Sequence, residues 1–396
     1  MRSTHLSRLL LFLIVALATA STRAQQAHVN LDWNPHKNND KLTPFMANLI
    51  SPEVRDDHTV TFRLKAPKAQ EVLLAGGPLL LALGKGNAPI PFSKGEDGTW
   101  SLTIGPVKPN IYVYKFTLDG ASIPDPNNTL GGVGDQPPYS QLVIHGDAPA
   151  YYDARNVPHG AVTRHIYHST VTNGEREMYV YTPPGYDRRK KYPVLYLVGG
   201  SGELASNWAI EGRANFILDN LLAEGKAVPM IIAMPNNQVV HRSHPQHVEL
   251  TFKLFEEDLR KHIIPVVEQN YSVRTDRKSR ALSGLSMGGR HTQFVGWKCL
   301  ELFGSFGILS AGDLNSETTS AEFLNDPNIN KKVDYLFVGQ GTHEDRPGTR
   351  TNVLHEVLLK HKIRHEYYVG GDGGHDWGTW RHLLYAKFLP ELWRTK

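Results

Sequence analysis

Two spacings of apolar residues divide this chain. From about His58 to Ile144 apolar and polar positions alternate in short runs, clearest in Thr59–Leu64, Glu71–Leu74, Thr99–Ile104 and Ile111–Phe116. Successive side chains of a strand point to opposite faces, so each run predicts a strand with one buried face. Clusters of Gly, Pro, Asn and Asp separate the runs, and short strands so spaced predict a small all-β, immunoglobulin-like sandwich. Trp100, Tyr112 and Tyr114 lie in those strands and are read as core rather than as a ligand platform. Asp125–Gly132 and Gly146–Ala150 read as loops, and the pattern changes after the second, so a domain boundary is placed at residue 150.

Beyond it the strands lose their alternation. Tyr192–Val198 and Val228–Met234 are continuous apolar runs, as strands covered on both faces require. An amphipathic stretch, Asn215–Ala223, lies between them. A longer one, Glu249–Gln269, carries Leu250, Leu254, Leu259, Ile263 and Val267 at helical spacing, with a kink or a short break expected at Pro265. Strands alternating with helices predict an α/β sheet containing parallel strands.

Composition narrows the setting. The 396 residues are enough for two domains, and 40% hydrophobic with 21% charged is ordinary for globular protein. A formal charge of +4, with no basic run interleaved with aromatics, argues against a dedicated nucleic-acid binder. The single cysteine, Cys299, rules out an internal disulfide, and its apolar surroundings predict a buried thiol. At the N-terminus Arg2 and Arg8 precede the apolar run Leu9–Ala18, and Ala18-Thr19-Ala20 offers a cleavage site, with Ala24 as a second. Residues 1–24 are therefore read as a signal peptide too short in its apolar run to span a bilayer, and the mature chain as periplasmic or secreted.

The chemistry concentrates in Gly284-Leu285-Ser286-Met287-Gly288-Gly289, after the apolar stretch Arg280–Ser283 and before a helix expected over Arg290–Leu300. A serine between flanking glycines can occupy a strained strand-to-helix turn, with its hydroxyl in a cleft and the next backbone N–H ready for an oxyanion. Such a nucleophile elbow belongs to α/β-hydrolases, in which an acid and then a histidine follow the serine along the chain. Here Leu336–Gly339 reads as a strand ending in Gly341-Thr342-His343-Glu344-Asp345. Glu366–Val369 reads as a last strand ending in Gly370-Gly371-Asp372-Gly373-Gly374-His375-Asp376-Trp377.

On these residues the chain resembles carbohydrate esterase family one, the feruloyl and acetylxylan esterases of the esterase D-like group. Its start resembles the early-set domain of glycogen branching enzymes. The resemblance is carried by Ser51-Pro52-Glu53-Val54, Phe255-Glu256-Glu257-Asp258-Leu259, Gly284–Gly289, and Gly374-His375-Asp376-Trp377 with Trp380. It implies a serine esterase acting on ester substituents of plant cell-wall polysaccharide, with Ser286 as nucleophile, His375 as general base and Glu344 as acid. Asp345 is the alternative acid, and whichever carboxylate is not used is expected to be solvated or paired with Arg346 or Arg350. Relatives carry a histidine where this chain has Val198; Met287 with Gly200 or Ser201 is expected to supply the oxyanion donors.

Three tryptophans, Trp208, Trp377 and Trp380, offer an aromatic wall for a phenolic acyl group or sugar rings, Trp208 and Trp377 as substrate-binding residues and Trp380 as core. His241, His244 and His247 recur every third residue, but Pro245 and the absence of helical periodicity favour a loop near the cleft over a metal site. No metal or cofactor is expected. The expected partners are polysaccharide or small ester substrates, with neither nucleic acid nor membrane. Two alternatives remain: a siderophore esterase of the enterochelin-hydrolase type, and a carbohydrate-binding protein with a decayed hydrolase domain.

Overall fold

The computed structural model describes residues 49–132 and 138–394. The expected signal peptide and the first part of the expected sandwich lie outside them. The alternating runs form two antiparallel sheets. One pairs Glu53–Val54, Val60–Lys65, Thr99–Ile104 and Ser93–Lys94 in that order. The other pairs Ile90–Pro91, Val72–Ala75, Asn110–Leu118, Tyr139–Ile144 and Gly131–Gly132, with Ala121–Ile123 on the flank of Asn110–Leu118. Phe62, Leu74, Trp100, Tyr112, Tyr114 and Phe116 meet between the sheets, where alternation sends them. Part of the expected loop Asp125–Gly132 works as a buried polar hub. Asp125 accepts hydrogen bonds from the hydroxyls of Ser51 at 2.6 Å and Tyr114 at 2.9 Å. Burial pushes its carboxyl up to about 6 against the pull of those bonds.

The remainder builds one eight-stranded sheet. Its strands are β1 (Ala161–Ser169), β2 (Gly174–Thr182), β3 (Val194–Val198), β4 (Ile231–Pro235), β5 (Arg280–Leu285), β6 (Ser305–Leu309), β7 (Tyr335–Gln340) and β8 (Glu366–Val369). The spatial order is β1-β2-β4-β3-β5-β6-β7-β8. The first hairpin and the β2–β4 pairing are antiparallel, and the rest of the sheet is parallel. Every residue of β3, β4, β5 and β6 is buried, which explains the unbroken apolar runs of β3 and β4.

Helices cover both faces. The long amphipathic stretch forms His247–Asp258, a π turn over Leu259–Ile263 and then Ile264–Asn270, so the helical run is not broken at Pro265. A proline ring collides with the carbonyl four residues back, here that of Lys261, and the wider π turn takes up the conflict. The helix after the elbow starts at Met287, three residues earlier than expected, and also widens into a π turn over Thr292–Gly296.

The sandwich is joined to this sheet through the fully buried Arg381 in the helix Trp377–Leu383. Its guanidinium donates to Glu211 O at 2.7 Å, to Asn110 Oδ1 at 2.8 Å and to Ile111 O at 3.4 Å, and lies over the Tyr152 ring at 4.9 Å. Ile111 and Val143 of the sandwich pack into the same apolar cluster as Leu195, Trp208 and Trp380. Tyr139 donates to the Glu211 carboxylate beside them. Arg381→Ala leaves those acceptors buried without a donor and is expected to cost roughly 3 kcal/mol or more, read as a lowered urea midpoint.

Candidate active site

Parallel strands of an α/β sheet present their ligands at their carboxyl ends, and the three expected groups leave there from β5, β7 and β8. Ser286 has φ 48° and ψ −115°, a strained conformation for a residue with a side chain, and its N–H donates to Leu309 O at 2.9 Å. The flanking glycines are steric requirements. A Cβ on Gly284 would lie 2.5 Å from the Gly288 carbonyl carbon, and one on Gly288 would lie 2.5 Å from the carbonyl oxygens of Val198 and Gly199.

His375 Nε2 lies 2.9 Å from Ser286 Oγ, and His375 Nδ1 lies 2.7 Å from Glu344 Oε1. The other Glu344 oxygen accepts from Ser310 Oγ at 2.6 Å and from Gly341 N–H at 3.1 Å. Burial raises the Glu344 carboxyl, but hydrogen bonds from His375, Ser310 and Gly341 outweigh it and hold the group below its ordinary 4.5. The short turn Thr342–Glu344 sets this direction, and the next residue points elsewhere. Asp345 accepts from Gln340 Nε2 at 3.1 Å and Asn352 Nδ2 at 2.8 Å and is exposed, so of the two expected fates it is solvated rather than paired with Arg346 or Arg350.

The histidine loop is fixed by its neighbours. Asp376 caps the helix Trp377–Leu383 by accepting from Thr379 N–H at 3.0 Å, and its second oxygen accepts from Gly374 N–H at 3.0 Å. The acid loop is tied to it where Thr342 Oγ1 donates to Gly371 O at 2.7 Å and His343 N–H to Gly373 O at 3.0 Å. Trp380 stands edge-on to the His375 ring at 5.2 Å.

The loop after β3 faces Ser286. A Cβ on Gly200 would meet Ser286 Cβ at 3.5 Å, which sets the Gly200 backbone beside the nucleophile. Its carbonyls are each held by a side chain: Trp208 Nε1 donates to Val198 O at 3.0 Å, Asn237 Nδ2 to Gly199 O and Gln238 Nε2 to Gly200 O, both at 2.8 Å. Met287 opens the helix on the other side. Gly200 N–H donates to Glu203 Oε2 at 2.9 Å, and Ser201 lines the cleft beyond it.

That cleft, of about 730 Å³, lies between the sandwich and the large sheet, with Tyr112, Lys108 and Leu81 on one side and His375, Trp377 and Trp380 on the other. Trp208 is corrected. It is only 1% exposed, and it packs edge-on beneath Trp377 at 5.1 Å, so it supports the wall and does not form it. Trp380 is core, as expected, yet one side of it reaches the cleft. After β4, His241 and His244 lie in the expected loop and His247 opens the helix His247–Asp258; His241 bonds to Ser243 Oγ at 2.7 Å, and none of the three lines this cleft. Among the described residues no group of three or more His, Cys, Asp or Glu is arranged to hold a metal ion. Cys299 is buried, and burial pushes its thiol up to about 12.

Residues 169–390 match the family model Esterase, described as putative esterase. The chain belongs to this family. It is 32% identical over 342 residues to the endo-1,4-beta-xylanase/feruloyl esterase of Xylanibacter ruminicola, a match covering 84% of this chain and 44% of that protein. The chain thus spans less than half the length of that curated relative. Among solved structures, the feruloyl esterase module from Clostridium thermocellum, complexed with sinapinate, is 26% identical with a TM-score of 0.53, covering 64% of this chain and 96% of that one. The enterochelin esterase from Shigella flexneri, at 16% identity and TM-score 0.63, covers 87% of this chain and 95% of its own and shares the fold.

Asn237, Gln238, Ser310 and Glu203 enter the site without having been singled out in the sequence. The one signal was the polar run Asn236-Asn237-Gln238 directly after an apolar strand. Because Glu344 is held below its ordinary pKa, its carboxylate stabilises the fold above that value, and the contribution is lost as pH falls through the lowered one. Glu344→Gln is therefore expected to lose less thermal stability than wild type between about pH 5 and pH 3, measured by calorimetry.

Proposed function

We propose that this chain is a serine esterase removing feruloyl or acetyl substituents from plant cell-wall polysaccharide through an acyl-enzyme. The observation that carries the reading is His375 held between Ser286 Oγ at 2.9 Å and Glu344 Oε1 at 2.7 Å. His375 Nε2 takes the hydroxyl proton as Ser286 Oγ bonds to the ester carbonyl carbon. The carbonyl oxygen becomes an oxyanion held by the N–H groups of Met287 and Gly200 or its neighbour Ser201. The tetrahedral intermediate collapses, the C–O bond to the sugar or alcohol breaks, and His375 gives that oxygen the proton. Water repeats the sequence on the acyl-enzyme and frees the acid. Glu344 holds the imidazole tautomer throughout, and the steps draw on no metal or organic cofactor.

Likeness to a relative named for feruloyl ester hydrolysis supports the acyl group. Trp377, at the cleft wall next to His375, offers a face for its phenolic ring. We further read residues 25–150 as a separate early-set sandwich, residues 1–24 as an export signal, and the mature chain as periplasmic or secreted.

The test is hydrolysis of p-nitrophenyl acetate and methyl ferulate by the mature protein. Ser286→Ala is expected to lower kcat by about 10⁴-fold or more, and Glu344→Gln by about 10²–10⁴-fold. Asp345→Asn should change it less than threefold, by roughly the margin expected of a residue outside the triad. Glycan binding without turnover would favour the decayed hydrolase, and preference for a catecholate trilactone would favour a siderophore esterase. Trp377→Ala is expected to raise KM for methyl ferulate about tenfold while moving that for p-nitrophenyl acetate little, as loss of one aromatic contact implies. Equal effects on both esters would remove Trp377 from the acyl site.

A further inference from the structure

Glu203 has no part in the steps above, yet it binds Gly200 N–H, one of the two alternatives for their second oxyanion donor. It lies three residues beyond Gly200 and folds back, so that Oε2 accepts Gly200 N–H at 2.9 Å. A Cβ placed on Gly200 would meet Glu203 Cδ and Ser286 Cβ at 3.5 Å each, so the carboxyl and the nucleophile flank the same residue. A carboxylate oxygen resembles, in charge and in its demand for hydrogen bonds, the oxyanion of a tetrahedral intermediate. The backbone cannot easily turn this N–H to another acceptor. The carbonyls of Val198, Gly199 and Gly200 are each held by a side chain, from Trp208, Asn237 and Gln238. The movable partner is the Glu203 side chain, which lines the cleft.

We propose that Glu203 is an internal competitor for the oxyanion site: its carboxyl occupies Gly200 N–H in the free protein and must swing into the cleft before an ester carbonyl is held there. The proposal rests on the esterase reading of Ser286 and His375. It makes turnover depend on the charge of Glu203. Burial raises this carboxyl to about 8, the Gly200 N–H bond pulls it down, and the Glu211 carboxylate raises it further. Glu211 and Tyr139 are its ionisable neighbours, from the following helix and from the sandwich. Across the cleft stand His375, Asp376 and Lys108, the last paired with Asp372 at 2.8 Å. The neutral acid is a weak acceptor and yields to substrate. Once ionised it makes a charge-assisted bond and holds Gly200 N–H more firmly.

The experiment is the pH profile of kcat/KM for p-nitrophenyl acetate from pH 6 to 10, corrected by the Ser286→Ala background, for wild type, Glu203→Gln and Glu203→Ala. Wild type is expected to fall above about pH 8, by roughly tenfold per pH unit once the group is ionised. Glu203→Gln, which keeps a carbonyl acceptor but has no charge to gain, should lack that fall. Glu203→Ala should exceed wild type by at least about tenfold at pH 9.5, the margin a single ionisation allows. An alkaline fall that persists in Glu203→Gln, or a uniform loss of activity at every pH in Glu203→Ala, overturns the proposal, because the carboxyl would then only support the loop. Wild type inactive at every pH overturns the esterase reading itself, an outcome distinct from either.

Discussion

The site depends on how closely the elbow approaches the end of β3. Gly288 has no room for a methyl group against the carbonyls of Val198 and Gly199, and Gly284 has none against Gly288. That contact brings two loops of distant sequence to one place: the turn carrying Ser286 and the Gly199-Gly200 turn that follows β3. The strain at Ser286, with φ 48°, is sustained by the same packing and by the bond from its N–H to Leu309 O. A side chain at either glycine would push the Ser286 turn away from the end of β3.

Around this contact the polar groups fall into two braced halves. On one side Trp208, Asn237 and Gln238 hold the carbonyls of the β3 loop and so fix its backbone. On the other, the acid and histidine loops are stitched together through Thr342 and His343, and Glu344 is held by Ser310 as well as by His375. A base and its acid are useful only if their geometry outlasts the encounter with substrate. Here most of that geometry comes from bonds to backbone, which do not rely on long, mobile side chains.

How much of this could be read from sequence followed from burial. β3 and β4 were legible because full burial leaves nothing but apolar residues, whereas the hairpin β1–β2 passed unnoticed. β1 lies at the sheet edge with most of its residues exposed and carries Arg164, His165 and His168 among its apolar positions. The serine, histidine and acid loops were legible because glycine-rich turns after strands have a recognisable composition. Choosing between Glu344 and Asp345 was a matter of one residue of turn geometry, which composition does not encode. Trp208 was misread as a wall because an indole beside a cleft and an indole beneath it look alike in one dimension. Ser310 gives no sign in sequence of its positive φ of 49°, and Asn237 and Gln238 acquire their roles only when β3 and β4 become neighbours.

Arg381 makes the two halves of the molecule hard to trade. Its charge is satisfied by a carbonyl of the large sheet's side and by a side chain and a carbonyl of the sandwich, with Tyr152 of the connecting segment beneath it. The helix that carries it begins immediately after His375-Asp376. A large-sheet half cut free at the connecting segment would expose a guanidinium and an apolar face next to the loop that carries His375. Shuffling this sandwich for another would therefore succeed only with a replacement that offers an amide oxygen and a free carbonyl at the places of Asn110 and Ile111. In modular enzymes a linker usually marks where evolution can recombine; here the recombination point is guarded by a single buried cation.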